Sequence, residues 1–417
     1  MNPSVTDIAK HYQDYMVSLR RTLHEQPELS FKEQGTSQRV QQELQKMNIP
    51  FEVVGDYGVV ATIEGANTRC MVALRADMDA LPIHEKNDHL DYCSKTPGVM
   101  HACGHDGHVA MLLGAAQVFQ HLKHEMAGTV KLCFQQAEER GGGTAEILKV
   151  LAPFPVKSAF AIHLWSEIES GKVSVQAGPR MAACDIFDIV VKGVGCHGAN
   201  PHRGIDPIVV ASSIVMNLSH VMTREIDPTH PAALTFGKFH SGDAGNVIPD
   251  QAVLAGTLRT TDQADQAHLQ AALRRVVQST ADTYRATAEV SIRRGGTMLV
   301  NDARSSQLAE QAAQDLFGAE QLIAFAPLMV SENFGDFLEV YPGLMAFIGV
   351  RNDSCGASYP HHHPQFNIDE DVLYMGAALH VGYALRCFEA IEPAAAPASA
   401  LNRASSHCLS AANTGSD

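Results

Sequence analysis

Side chains that bind transition metals stand in four separated segments of this 417-residue chain. Residues 101–108, HACGHDGH, place three imidazoles, one thiol and one carboxylate close together. A glutamate pair follows at Glu138 and Glu139, and further histidines stand at His163 and in residues 361–363. These are the side-chain types that proteins offer to zinc and other transition metals. A zinc finger keeps its ligands in short local pairs, so this wider spacing requires a fold that brings distant segments together.

The composition is that of an ordinary globular protein with 45% hydrophobic and 18% charged residues. The formal net charge of -15 lacks the basic excess of a nucleic-acid binder. Residues 1–20 have the pattern of an amphipathic helix, without the apolar core of a signal peptide. No apolar run approaches the ~18 to 20 residues that a membrane crossing needs. The sequence therefore predicts a soluble, cytoplasmic protein that binds neither nucleic acid nor membrane.

The cysteines do not form a pattern typical of disulfides, because there are nine of them at irregular spacings. Cys103 differs from the others in having a histidine two residues away on each side. In that setting its thiolate is suited either to bind a metal or to act as a nucleophile. The residues alone leave both roles open.

Helical and β-rich segments alternate through the first third of the chain. The pattern predicts helices over residues 5–23, 31–47 and 109–122, and strands over 51–54, 59–63, 71–74 and 129–134. Such alternation is typical of an α/β fold with a mostly parallel, mixed sheet. Sites in these sheets lie where the strands end, and the polar motifs stand at those positions.

The pattern changes near Gly178. The following segments read as strand, helix, strand, strand, helix and strand, over residues 185–194, 206–222, 232–239, 252–259, 262–286 and 288–292. This order is the split motif of ferredoxin-like sandwiches. We therefore predict a discontinuous catalytic domain, 1–180 and 296–391, with an inserted domain, 181–295. The Ala- and Ser-rich tail, 392–417, is predicted to be disordered.

Five motifs, in order along the chain, resemble the dinuclear metallo-amidohydrolases. They are RADMDALP at 75–82, MHACGHD at 100–106, QAEE at 136–139, AIH at 161–163 and HHP at 362–364. That family includes hippurate hydrolases, N-acyl-amino-acid amidohydrolases and indole-acetyl-amino-acid hydrolases. It is related to aminoacylases and metallo-carboxypeptidases. The resemblance covers about residues 23–388, and it implies metal-dependent hydrolysis of the amide bond of an N-acyl amino acid.

The resemblance also implies two divalent metal ions per subunit. The ligands carried over from the motifs are Cys103, His105, Glu139, His163 and His362. The thiolate of Cys103 would bridge the two ions, and a negative ligand between two cations offsets their repulsion. These ligand types suit manganese or zinc best and are also compatible with cobalt or nickel.

Three further residues receive catalytic roles from the resemblance. Glu138 would take a proton from the attacking water and hand it to the leaving amine. Asp79 stands where relatives keep an acid that orients a ligand imidazole. Asp77 occupies the position of a ligand histidine in aminoacylases, so its own ligand role stays open. In the inserted domain, His197 resembles a histidine that reaches the partner subunit's active site, where it would polarise the scissile carbonyl.

The inserted domain also carries two candidate substrate-binding residues. Asn246 and Arg259 match family positions near the substrate, where an amide and a guanidinium would hold a carboxylate. A role as a surface residue is equally compatible with Arg259. By resemblance the inserted domain is a lid and a dimerisation domain, which implies a homodimer or a higher homo-oligomer. Asn333 departs from the acid that relatives carry, and the consequence of that change stays open.

Several alternatives remain at this stage. A metallo-carboxypeptidase or dipeptidase is the nearest competitor, because it would use the same metal site. A hydrolase with Cys103 as nucleophile would keep its activity without metal. A catalytically silent binding protein is disfavoured by the intact Glu138. Four histidines border the proposed ligands, and each could act directly in the site or only support a ligand: His101, His108, His361 and His363.

Overall fold

The computed structural model describes residues 4–65 and 70–391. The helices are α1 (Val5–His11), α2 (Gln13–Glu25), α3 (Gln34–Lys46), α4 (His105–Leu122), α5 (Thr144–Leu151), α6 (Pro207–Arg224), α7 (Gln263–Thr283), α8 (Ala303–Phe317), α9 (Gly335–Val340) and α10 (Leu373–Ile391). The strands are β1 (Phe51–Val54), β2 (Gly58–Ile63), β3 (Met71–Asp77), β4 (Thr129–Gln135), β5 (Val156–Glu169), β6 (Val173–Ser174), β7 (Gly178–Met181), β8 (Ala183–Lys192), β9 (Cys196–His197), β10 (Ala232–Ser241), β11 (Val247–Ile248), β12 (Gln251–Thr260), β13 (Thr287–Gly296), β14 (Leu299–Asn301) and β15 (Gly343–Arg351). The tail predicted to be disordered, 392–417, lies outside the described residues.

Within the described residues, seven strands form one sheet in the order β1-β2-β4-β3-β5-β15-β6. The four central strands β4, β3, β5 and β15 are parallel, and the strands at both edges are antiparallel. Strands β3 and β4 are buried along their whole length, which is typical of parallel strands covered on both faces. The sheet confirms the predicted α/β class with a mostly parallel, mixed sheet.

Helices cover both faces of this sheet. One face packs against α4 and α10, with α2 packed on these two helices, through apolar side chains such as Met16, Phe119 and Leu379. The other face packs against α5 and α9, through Ile147 and Phe337. Each fully buried side chain of this size stabilises the fold by about 1.5–3 kcal/mol relative to an exposed one. The sheet is therefore rigidly held, and its strand ends offer a fixed platform for polar groups.

A second, antiparallel sheet has the strand order β10-β12-β8-β13. Helices α6 and α7 cover one of its faces, with Phe187, Leu218 and Leu273 in the core between them. Along the chain the order is strand, helix, strand, strand, helix and strand. The chain enters this region through β7 and leaves it through β14, and these two strands pair with each other. The treatment of 181–295 as a separate lid domain stays a prediction.

Some helix ends differ from the sequence predictions. The helix predicted over 5–23 is interrupted at Tyr12, between α1 and α2. The helix predicted from residue 31 begins at Gln34, because Phe31 has a φ of 63° outside the helical region. Apolar periodicity continues across such breaks, whereas a helix ends where the backbone leaves helical geometry. Among the described helices, none combines the length with the apolar composition that a membrane crossing requires.

Candidate active site

The polar motifs meet at one edge of the central sheet. Strand β3 ends at Asp77, and the neighbouring β4 ends at Gln135, shortly before Glu138. In β5, Ala161 pairs with Arg75, so His163 lies two residues further on, level with Asp77. The carboxyl ends of parallel strands share one edge, where α/β sheets place their sites. The sequence motifs thus converge because their strands are neighbours.

Positive φ angles turn the chain sharply beside the candidate ligands. Gly104 has a φ of 91° and separates Cys103 from the start of α4 at His105. Glycine adopts this left-handed conformation without strain because it has no Cβ, so the motif favours glycine at that point. Ala137, just before the glutamate pair, has a φ of 59°, and the side chain of Glu33 accepts a hydrogen bond from its N–H at 2.7 Å. Such conformations persist where surrounding contacts hold them, as they do here.

The five predicted ligands come together in two groups that share Cys103. One group is Cys103, His105 and His163, and the other is Cys103, Glu139 and His362. Within each group the ligand atoms lie within 4.8 Å of one another. The sulfur of Cys103 is 3.7 Å from Nε2 of His163. The Oε1 atom of Glu139 is 3.3 Å from Nε2 of His362 and 4.0 Å from Nε2 of His105.

Two atoms of this cluster point to a missing positive partner. Nε2 of His105 and Oε1 of Glu139 are buried and make no hydrogen bond within the described residues. A buried polar atom without a partner is costly, and native structures normally supply one. Thiolate, imidazole and carboxylate facing one another are a donor set for divalent transition metals. The chemistry of these side chains therefore fits divalent metal ions, which the two groups would hold.

Two histidines next to the cluster use both of their ring nitrogens in hydrogen bonds to the protein. Nδ1 of His108 donates to Asp77 at 2.6 Å, and its Nε2 accepts from the N–H of Leu164 at 3.0 Å. His361 uses its Nδ1 with Ser166 at 2.8 Å and donates from Nε2 to the carbonyl of Leu164 at 3.0 Å. Both rings are thus fully occupied by protein contacts.

Asp79 lies behind the glutamate pair and orients it. Its carboxylate accepts from the N–H groups of Glu138 and Glu139 at 3.1 and 3.0 Å, and from Oγ of Ser30 at 2.6 Å. The carbonyl oxygen of Asp79 accepts from Nδ1 of His105 at 2.8 Å, which leaves Nε2 of that ring facing the cluster. Burial opposes ionisation, but hydrogen bonds from His105 and Ser30 hold the pKa of Asp79 below its usual value.

The two adjacent glutamates have different surroundings. Glu139 faces the histidines of the cluster, whereas Oε1 of Glu138 accepts from the N–H of Asn333 at 3.3 Å. Burial first, and then the negative charges of Glu332 and Glu139, raise the pKa of Glu138 well above its usual value. A carboxyl group with a raised pKa is suited to accept and return a proton near neutral pH.

Sequence reasoning missed a buried charge network under the site. The guanidinium of Arg75 contacts Asp77 at 2.6 Å and Glu332 at 3.0 Å. It also donates to Gln135 at 2.9 Å and to the side-chain oxygen of Asn333 at 3.2 Å. An arginine inside an otherwise apolar strand was the signal that could have revealed it. The side chain of Asn333 thus serves as a neutral acceptor for Arg75.

The structure separates the remaining candidates into two places. Arg259 lies on β12 and lines the cleft beside the glutamate pair. His197 is exposed on β9 and lines another cavity of about 990 Å³. Asn246 adjoins His197, since its carbonyl accepts from the N–H of Gly198 at 2.8 Å. Within one chain, His197 and Asn246 are therefore not brought to the metal-ligand cluster.

The cleft beside the cluster has a volume of about 970 Å³, which suits a small-molecule ligand. Its floor includes Glu138, Glu139 and His362. Its lining includes both apolar side chains and guanidinium groups, from residues Trp165, Ile186, Leu328, Met329, Val330, Arg140, Arg259, Arg293 and Arg294. The arrangement can hold a molecule with both an apolar and an anionic part.

Comparisons with known proteins agree with the motifs. Residues 73–386 match the family described as Peptidase family M20/M25/M40. The chain is 39% identical over 381 residues to "Thermostable carboxypeptidase 2" of Saccharolobus solfataricus, covering 90% of this chain and 96% of that protein. It is also 39% identical over 381 residues to "IAA-amino acid hydrolase ILR1-like 2" of Arabidopsis thaliana, covering 89% and 85% of the two chains.

A solved structure is similar along nearly the whole chain. It is a Bacillus subtilis protein described as a dinuclear metal binding peptidase from the M20 family. The TM-score is 0.81 at 32% identity, and the match covers 92% of this chain and 100% of that chain. These findings confirm the resemblance that the motifs carried. The chain belongs to peptidase family M20/M25/M40, and it is a hydrolase that acts on amide bonds.

Proposed function

We propose that this protein is a metal-dependent amidohydrolase that cleaves the amide bond between an acyl group and an amino acid. The acyl group is of the aroyl, acetyl or indole-acetyl type. The observation that carries the proposal is the pair of ligand groups that share Cys103, with Glu138 beside them on the floor of a cleft. The Arabidopsis relative, named for hydrolysis of IAA-amino acids, supports this substrate class.

The metal ligands in this proposal are Cys103, His105, Glu139, His163 and His362. They would hold two divalent ions per subunit, manganese or zinc, with cobalt or nickel also compatible. Bound there, the cations would lower the pKa of a water and polarise the scissile carbonyl. The cytoplasmic location stays a prediction.

The residues of the chain then have different roles in the reaction. Glu138 accepts a proton from the attacking water and delivers it to the nitrogen of the leaving amine. Asp79 keeps both glutamates and the ring of His105 in position through the hydrogen bonds described above. Arg259 holds the carboxylate of the amino-acid half. The protein works as a homodimer or larger homo-oligomer, in which the partner subunit's His197 stabilises the negative oxygen of the transition state.

A metallo-carboxypeptidase is the second candidate, favoured by the 39% identity to a thermostable carboxypeptidase. Both activities use the same ligands and the same proton carrier. They differ in what fills the acyl side of the cleft, a peptide or a small acyl group. Substrate comparison therefore separates them, whereas mutation of the metal site does not.

The test is a substrate screen of the purified protein reloaded with each metal in turn. We expect turnover of hippurate, N-acetyl-amino acids or indole-acetyl-amino acids above that of dipeptides. Turnover confined to peptides would replace the proposal by the carboxypeptidase. Metal content, measured separately from activity, should be two ions per subunit.

The glutamate pair supplies a matched test of the assigned roles. Glu138→Gln should keep both metals and lower kcat by about 10²-fold to 10⁴-fold, the usual contribution of a general base. Glu139→Gln should lower the metal content instead, because it removes a ligand. The opposite pattern would show that the two roles are exchanged.

A further inference from the structure

The cleft contains three arginines that make no ion pair with the described residues. Arg140, Arg259 and Arg293 line it, and none of them lies within 4.0 Å of a carboxylate in the described residues. Four acids share this cleft: Glu138 and Glu139 of the site, Glu332, which is engaged by Arg75, and Glu167. None of the four lies within 4.0 Å of the three guanidinium groups. Acidic residues outnumber basic ones by 46 to 31 in this chain. Unpaired arginines grouped in a cleft therefore indicate an anionic ligand.

Two of these arginines project from the same face of the second sheet. Arg259 on β12 pairs with Cys184, and Arg293 on β13 pairs with Ile186. Cys184 and Ile186 are two residues apart on β8, so their side chains and those of their partners share one face. Phe187 points the opposite way, into the core with α6 and α7. The arginine face is thus opposite the face that α6 and α7 cover, and it lines the cleft.

The spacing of the two arginines favours two anionic groups over one. They lie on either side of β8, so their strands are about 10 Å apart. The Nη1 atom of Arg259 donates to the carbonyl of Met329 at 3.0 Å, which holds its side chain toward the cleft wall. Arg293 is exposed and makes no hydrogen bond with its guanidinium in the described part of the chain. It is therefore the group free to meet a second carboxylate.

We propose that Arg293 selects substrates whose amino-acid half carries a side-chain carboxylate. In this inference, which rests on the proposed function, Arg259 binds the α-carboxylate and Arg293 binds the side-chain carboxylate of N-acyl-glutamate or N-acyl-aspartate. A guanidinium–carboxylate contact is charge-assisted and geometrically selective. Arg293 is a specificity residue, and it takes no part in bond breaking.

The test compares two substrates of the same shape and different charge. N-acyl-glutamate and N-acyl-glutamine, with the same acyl group, are offered to the metal-loaded protein. We expect kcat/KM to favour the glutamate derivative by about 10-fold to 100-fold, the range of a hydrogen bond to a charged group. Arg293→Gln should bring that ratio close to one. A wild-type ratio at or below one would overturn the inference.

Arg294 provides the matched control. It lines the same cleft, but it is paired with the carboxylate of Glu339. Arg294→Gln should keep the glutamate-to-glutamine ratio of the wild type, and an equal loss in both variants would show a general charge effect instead. If only peptides are cleaved, the same ratio is measured with a C-terminal glutamate or glutamine. If nothing is hydrolysed, the proposed function fails, and calorimetric binding of the two N-acyl derivatives decides the inference separately.

Discussion

Replacing Arg75 by methionine should destabilise the folded protein strongly, because it leaves buried carboxylates without their cation. Arg75 is 2% exposed, and its partners Asp77 and Glu332 are 0% and 3% exposed. Methionine fills similar space with an apolar chain, so the change removes charge more than volume. Breaking a buried ion pair by removing one partner costs about 3–5 kcal/mol. Glu332 loses its cation, whereas Asp77 keeps the hydrogen bond from His108. We therefore expect a loss within that range.

The assay is urea unfolding of the metal-free protein, since metal binding would otherwise raise the apparent stability. Arg386→Met is the control, because Arg386 also contacts two acids, Asp315 and Glu389, but is 39% exposed. Exposed ion pairs contribute about 0–1 kcal/mol. A loss below about 1 kcal/mol for Arg75→Met, or one no greater than the control's, would refute the reasoning.

The pH dependence of this loss has a definite sign. Burial already raises the pKa of Glu332 although Arg75 opposes the shift, so removal of Arg75 raises that pKa further. A carboxyl group with a raised pKa in the folded state favours folding at low pH and opposes it at high pH. The stability deficit of Arg75→Met should therefore be larger at about pH 8 than at about pH 5.

Three further predictions concern metal, subunits and acid. Chelation of the metals should abolish activity, and manganese, zinc or cobalt should restore it. Full turnover by the metal-free protein would instead support a hydrolase with Cys103 as its nucleophile. His197→Ala should lower kcat far more than it raises KM, with unchanged metal content. If each active site is completed by the partner subunit, mixing the His197→Ala protein with the Glu138→Gln protein should recover activity. A fully active monomer would contradict that arrangement. Burial opposes ionisation of Glu85, but the hydrogen bond from His24 lowers its pKa to about 2. The ionised Glu85 therefore stabilises the folded protein fully above the unfolded pKa of 4.5. This stabilisation is lost as the pH falls through the folded-state pKa. Glu85→Gln should flatten the acid side of the stability curve, and an unchanged curve would contradict this contribution of Glu85 to the acid-side loss.

The sequence alone was sufficient to predict the α/β class, the family and the chemistry of the ligands. Apolar periodicity marks which segments are buried strands and helices, and it depends on residues near one another in the chain. Residue type alone indicates metal binding by the imidazole, thiol and carboxylate groups of residues 101–108, 138–139 and 163. Their order along the chain carried the family resemblance, because each motif is local.

Only the tertiary structure decided which of these groups face one another. Glu138 and Glu139 both lie near His105, yet Glu138 accepts from the N–H of Asn333 and Glu139 lies beside His362. The partner of Arg75, Glu332, lies 257 residues further along the chain. Among the described residues Arg293 makes no ion pair, while its neighbour Arg294 is paired with Glu339. Side-chain direction and long-range pairing arise when strands and loops pack together, so the local sequence could not predict these contacts.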